Sequence, residues 1–535
     1  ILLCIIADPF SHPFLERAVH DRDFSAPASV SPVEKTAAFW KSSAQQAISN
    51  KLKTINYNTG KAKNIILFMG DGMSLPTVTA SRIYKGQNEG RSGEEQQLSF
   101  EQFPFMGLSK TYCADSQVTD SAASATAYLT GVKTNYNAVG VSAAVTVRDC
   151  AAMLDENNHV SSIAEWAQNA GMRTGLVTTA RVTHASPAPL YAHSSYRNWE
   201  SDTDILRDGE DPRVCRDIAS QMIFNNVGQK MNVIFGGGKS EFFNQTASDE
   251  NGNAGYRSDG VNLIDTWKNL KAQSGSSYAY VYNREGLLNL TNEDHVLGLF
   301  TSDHMNYELD RNADTEPSVA EMTEAAIKLL SKGDEGFFLF VEGARIDMAH
   351  HNLLAVKALA ETVAFSKAVS VAENLTNSEE TLIVVTADHA HTMTINGYPS
   401  RGNDIKGISG AADDGLPYLT LSYANGVYNG LDSNSGRHNL TGDPALGTKD
   451  YVYPGMVYRR SETHGGDDVG IFSKGPWAHL LTGVNEQNVI PHVMAYAACI
   501  GDGDTMCVSG SENTMSHMSV SLYVVVLSLA IYFGF

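Results

Sequence analysis

The 535-residue sequence predicts an α/β fold: a large, mostly parallel central sheet covered by helices on both faces, with an inserted crown-like subdomain. Three observations support that expectation. Short continuous apolar runs recur along the chain and end in polar residues, as strands buried on both faces do. Helix-period stretches separate these runs, so strand and helix alternate. One region between two polar strand ends changes composition and reads as an insertion.

Residues 1–7, Ile-Leu-Leu-Cys-Ile-Ile-Ala, read as the tail of a secretory signal peptide. Residues 8–32 lack an apolar period and are expected to form a propeptide or a loose arm. From Val33 to about Ile55 the pattern is helical and weakly amphipathic, which suits a solvent-facing or partner-facing helix. Asn64 to Met69 is an apolar run that empties into Gly70-Asp71-Gly72-Met73. The same form recurs where Gly175–Thr179 leads to Arg181, His184 and Ser186, where Phe337–Val341 leads to Glu342, and where Thr381–Thr386 leads to Asp388 and His389. A further run, Asp468–Phe472, follows His464. Helices are expected within Ser161–Ala170, Ser318–Leu330 and Leu353–Glu373. In such sheets, sites form outside the carboxyl ends of the strands, so these acidic and imidazole groups are expected along one edge.

Residues 397–458 are rich in Gly, Asn, Asp and Pro, with one expected strand, Tyr418–Leu421. They form the predicted insertion, and 33–396 with 459–508 are expected to form the main domain, which would carry any catalytic site. Residues 509–535 read as a GPI-anchor signal: small residues Ser509, Gly510 and Ser511 as attachment candidates, a polar spacer, and an apolar tail from Leu522 to Phe535. That tail falls short of the roughly 20 residues a membrane span needs. Anchoring would hold the protein on the outer leaflet of the plasma membrane.

Secretion accords with the cysteines. Cys4 would leave with the signal, and the other five allow two disulfides and one odd thiol. Glycosylation triplets start at Asn244, Asn289, Asn374 and Asn439, each expected on a surface loop. A net charge of −21 argues against nucleic acid as a partner.

The chemistry centres on Val118 to Ala127. Asp120-Ser121 opens a run of small helix-compatible residues, so Thr119 or Asp120 can cap and Ser121 sits at a helix N-terminus. Free N–H groups and the helix dipole there favour a phosphate or an ionised serine oxygen. A serine nucleophile needs a base or a metal beside it. Asp347 and His351, four apart, share one helix face and can hold one metal; His350 is the rival at a spacing of three. Asp388 and His389 converge only where the chain turns out of its strand. Carboxylate with imidazole suits zinc, whereas Asp71, Glu342 and a hydroxyl such as Ser186 suit magnesium.

Seven stretches together resemble one family: Gly70–Met73, Asp120–Ala122, His184–Pro187, Glu342-Gly343, Asp347–His351, Thr386–His389 and Glu462–Asp467. They resemble the animal alkaline phosphatases, GPI-anchored and insect- or vertebrate-like, in order over about Val33 to Cys507. The resemblance implies a homodimer that hydrolyses phosphate monoesters through a phosphoserine, with two zinc ions and one magnesium per subunit. It implies Ser121 as nucleophile and Arg197 as the fork on the substrate phosphate. One zinc would take Asp347, His351 and His464; the second Asp71, Asp388, His389 and the Ser121 oxygen. Magnesium would take Asp71, Ser186 and Glu342, with His184 close by. The resemblance also implies disulfides Cys150–Cys215 and Cys499–Cys507, leaving Cys113 free.

Two residues depart from the family pattern: Met348 stands where a histidine is usual, and Ser74 where a glycine is usual. Altered tuning with retained activity is expected. A calcium site of vertebrate members is put in doubt, because Lys230 and Thr301-Ser302 fall near its acidic positions and only Glu316 is a carboxylate. Two other readings stay open: a cell-surface binding protein on the same scaffold, and a phosphodiesterase or sulfatase.

Overall fold

The computed structural model describes Val33, residues 36–55, 57–432 and 436–501, and Cys507. The expected segments 1–7, 8–32 and 509–535, with Ser509, Gly510 and Ser511, lie outside the described residues.

Ten strands build the main sheet: β1 (Asn64–Gly70), β2 (Phe105–Lys110), β3 (Arg173–Arg181), β4 (Val233–Gly237), β5 (Tyr278–Val281), β6 (His295–Leu299), β7 (Phe337–Gly343), β8 (Thr381–Ala387), β9 (Val469–Lys474) and β10 (Gly483–Glu486). Their spatial order is β10-β2-β9-β8-β1-β7-β3-β4-β6-β5. Only β9 runs against its neighbours, pairing antiparallel with β2 and β8. The central strands β1, β7, β8 and β3 are parallel, so their carboxyl ends open on one edge.

Alternation along each strand divides the core in two. Ile65, Leu67 and Met69 of β1 enter one apolar cluster with Phe338 and Phe340 of β7. Ile66 and Phe68 enter the other with Phe337, Leu339 and Val341. Helix Ile163–Asn169 covers the first face, and helices Val319–Leu330 and Ala355–Leu375 cover the second. All three fall in or close to the expected windows, as does Ala37–Thr54 near the start of the chain. Truncating a residue such as Phe340 to Ala is expected to cost about 3–5 kcal/mol, because both faces are close-packed.

The insertion departs from expectation. In place of one strand at Tyr418–Leu421, residues 417–419 pair antiparallel with Ile408–Ala411, and Leu421–Gly426 pairs with Met393–Ile395 and Gly455–Tyr458. Thr420 breaks the run by donating its N–H to Gly407 O while its carbonyl accepts from Asn396 N. These short strands lack the long apolar run that marks the main sheet. They are held by a third cluster, in which Leu353, Leu359, Met393, Leu421, Tyr423 and Tyr453 meet.

The cysteines pair as Cys150–Cys215 and Cys499–Cys507, and Cys113 is free and buried. Asn289, Asn374 and Asn439 are exposed and Asn244 is half-buried. Asn374 lies in the last turn of a helix rather than in the expected loop, because Ala355–Leu375 runs on past Glu373. Among the described residues no helix is long and apolar enough to cross a membrane.

Candidate active site

The helix Ser121–Thr130 begins with the predicted nucleophile. Asp120, not Thr119, caps it, accepting from Ala122 N at 3.1 Å and Ala123 N at 3.3 Å. The same carboxylate accepts from Asn137 N at 2.8 Å and pairs with Arg197 at 2.9 Å. One aspartate thereby satisfies orphan helix donors and aims the guanidinium at the helix N-terminus. The other terminal nitrogen of Arg197 lies 3.3 Å from His184 Nε2. Ser121 is buried, with its Oγ 3.2 Å from His389 Nε2.

Asp347, His351 and His464 meet although the last is far away in sequence. His351 Nε2 is 3.4 Å and His464 Nε2 3.3 Å from Asp347 Oδ1. His351 Nδ1 donates to Glu462 O at 2.6 Å and His464 Nδ1 to Thr119 O at 2.8 Å. Those carbonyls place the ring protons on Nδ1, so two Nε2 lone pairs face each other across 3.1 Å. Such a contact is repulsive unless a cation takes both lone pairs, and the donor set therefore fits a zinc ion. His350, the rival, turns away to Thr77 Oγ1 at 3.0 Å and Tyr423 OH at 2.9 Å.

Asp71, Asp388 and His389 gather next to Ser121 at the ends of β1 and β8. His389 Nε2 is 3.1 Å from Asp388 Oδ2 and 3.4 Å from Asp71 Oδ1. Asp388 is steadied by Gly72 N at 2.9 Å. Ser186 Oγ lies 3.5 Å from Asp71 Oδ2, and Thr178 Oγ1 donates to Glu342 Oε2 at 2.5 Å. Asp71 Oδ1 and Glu342 Oε1 are buried with no hydrogen-bond partner. Burial first, then the neighbouring carboxylates, push Asp71 well above its ordinary range. Burial likewise raises Glu342 to about 7. A hard oxygen set with orphaned buried atoms fits magnesium.

The structure also brings His391, which the sequence reading did not single out, and Glu462, which it quoted without a role, into the site. His391 Nε2 donates to Asp347 Oδ1 at 2.7 Å and its Nδ1 to Glu462 Oε2 at 2.6 Å. With both ring nitrogens donating it has no lone pair for a metal, and it holds Asp347 in place. Burial opposes its charge, yet Glu462 and Asp347 raise it to about 10. The available signal was the spacing His389-Ala390-His391, which puts both rings on one side of an extended segment. Gly72 makes room for that ring. Its φ is +67°, and a Cβ there would lie 2.3 Å from His391 Cδ2.

Of the departures, Ser74 caps the helix Leu75–Asn88 by accepting from Thr77 N at 3.2 Å, and Met348 Sδ accepts from Arg345 at 2.8 Å. Glu316 is committed to Asn306, whose N and Nδ2 donate at 2.8 and 2.6 Å. A cavity of about 660 Å³ lined by Tyr136, Arg459, Arg460 and His464 opens over the site.

Comparison with known proteins accords with this geometry. The family profile described as alkaline phosphatase matches residues 62–500. The chain is 46% identical to a membrane-bound alkaline phosphatase of Bombyx mori, over 90% of this chain and 89% of that one. It is 45% identical to the tissue-nonspecific alkaline phosphatase of Homo sapiens, over 93% and 95%. Among solved structures, alkaline phosphatases of the Antarctic bacterium TAB5 and of Thermus thermophilus share the fold with TM-scores of 0.56 and 0.57. Their identities are 23% and 21%; each comparison covers 83% of this chain, and 100% and 93% of the respective structure. The chain therefore belongs to the alkaline phosphatase family, metal-dependent hydrolases of phosphate monoesters.

Proposed function

We propose that this protein hydrolyses phosphate monoesters through a phosphoserine at Ser121, on the outer face of the plasma membrane, as a GPI-anchored, glycosylated homodimer. The observation that supports it most is the placement of Ser121 Oγ at a helix N-terminus, beside His389 and in front of an arginine oriented by Asp120. Asp347, His351 and His464 would hold one zinc; Asp71, Ser121, Asp388 and His389 a second; and Asp71, Ser186 and Glu342 a magnesium, with His184 close by. When bound, these ions supply the positive charge that ionises serine and water and offsets charge on the leaving oxygen.

The rest is work for the chain. Arg197 offers two parallel N–H donors to non-bridging phosphate oxygens, and Asp120 keeps the fork aimed. The positive end of the helix dipole favours charge on the same oxygens. Ser121 Oγ attacks phosphorus in line with the ester oxygen. The P–O ester bond breaks, and the alcohol departs with the proton that the serine gave up. Water then attacks from the vacated side; the Ser121 oxygen leaves and takes a proton back, releasing inorganic phosphate. Holding reactants in line supplies much of the rate, as in other phosphoryl transfers.

The deciding experiment is hydrolysis of a chromogenic phosphate monoester from about pH 7 to about pH 11, before and after chelation and with zinc and magnesium restored. Activity that rises with pH, vanishes on chelation and returns with the metals is expected. No turnover at full metal occupancy would favour a binding role, or a diester or sulfate ester. Release from cells by a phosphatidylinositol-specific phospholipase tests the anchor.

A further inference from the structure

A second cavity of about 650 Å³ is walled by Arg181, Glu200, Asp204, Glu241, Tyr256 and Asp303. None of them belongs to the catalytic set. Glu241, 4% exposed, sits in the turn Lys239–Phe242 after β4, and its Oε2 is buried without a hydrogen-bond partner. The neighbouring charges are already engaged. Glu200 takes Arg181 at 2.5 and 2.9 Å and Thr183 at 2.7 Å. Asp204 accepts from Ser201 N at 3.0 Å, Ser201 Oγ at 2.9 Å and Arg207 at 3.2 Å. Arg181 also holds Asp303 at 2.6 Å and His304 at 2.8 Å. The cavity leaves Glu241 Oε2 without a donor, and burial, then Glu200 and Asp204, push its carboxyl up to about 8, so that a cation placed beside it would draw it to the ionised form.

A metal ion is a poor fit. Among the described residues, the groups of acids and histidines whose ligand atoms converge within 4.8 Å do not include these carboxylates. The volume is that of a small-molecule site, and half-exposed Tyr256 offers an aromatic face to a cation. We propose that this cavity binds a small organic cation bearing a primary ammonium group, anchored on Glu241.

The same wall touches the catalytic site. The His304 ring packs edge-on against His184, 4.9 Å between centroids, and His184 faces Arg197. A readout independent of turnover is therefore needed. Isothermal titration of the metal-loaded enzyme with 1,4-diaminobutane, at about 150 mM salt to screen the acidic surface, provides it. One saturable site per chain is expected, weakened about tenfold or more in Glu241→Gln with monoester turnover unchanged. Heats that do not saturate, or equal affinity in Glu241→Gln, would overturn the proposal and leave the phosphatase reading untouched. Should that variant fail to fold, Tyr256→Ala at the exposed rim serves instead: weakened binding supports the site, unchanged binding overturns it.

Discussion

The imidazole half of the site around Asp347 and the oxygen half around Asp71 and Glu342 differ in how far the protein alone completes them. In the first, each ring nitrogen pointing away from the centre is tied down: His351 to Glu462 O, His464 to Thr119 O and His391 to the Glu462 carboxylate. In the second, Thr178 supports one oxygen of Glu342, while Glu342 Oε1 and Asp71 Oδ1 have no partner. The electrostatics follow. Burial opposes the charge of Asp347, but His351, His391 and His464 hold its carboxyl well below the usual range. Asp71 and Glu342 are pushed up by burial first and then by neighbouring carboxylates, Asp388 and Asp347 among them. A histidine brings its own orienting bonds, whereas clustered carboxylates depend on cations for theirs.

Breaking the element that both halves serve should have the largest effect. Ser121→Ala is expected to lower turnover by on the order of 10³-fold or more and to abolish phosphoenzyme, with metals retained. Phosphopeptide mapping checks this, and phosphoserine persisting at the site would refute the assignment. Next come the two halves separately. His391→Ala should weaken zinc binding about 10–100-fold by freeing Asp347, while Ser186→Ala should weaken magnesium and spare zinc. Metal analysis after graded dialysis separates the two, and parallel loss of both metals in both variants would collapse the comparison.

Chelation should lower Tm by roughly 5–10 °C. Hydrogen exchange should then rise more at the ends of β1 and β7 than at residues 389–391, and equal loosening would mean that the outer histidine bonds do not stabilise their half. The smallest expected effect lies outside the site. Glu361 is a buried carboxylate that burial raises from 4.5 to about 8, with Glu308 N as a donor. A raised folded value gives stability that is complete below about pH 4.5 and lost as pH rises through about 8. From pH 5 to pH 9 the Tm of Glu361→Gln should therefore gain about 2–4 °C on the wild type in calorimetry.

Much of the scaffold was legible because its signals are local. β1, β7 and β8 carry continuous apolar runs of the kind found in strands buried on both faces, and β3 carries a shorter one at Leu176-Val177. The four-residue spacing of Asp347 and His351 puts both on one helix face, and Asp120 before Ser121 is a local cap. The insertion was less legible, since its strands of two to six residues carry no period and are held by contacts made elsewhere.

The order of apolar runs, the helix spacings, a cap at Thr119 or Asp120 and the ligand types were set by the sequence alone, because each depends on neighbours within a turn or a strand. The tertiary structure decided which histidine of the 350–351 pair turns to Asp347 and His464, that His464 joins through the carbonyl of Thr119, 345 residues away, and that His391 and Glu462 brace Asp347. It also left Glu241 beside an open cavity. Those outcomes depend on strand order, which brings distant segments to one edge and determines which polar atoms find partners there.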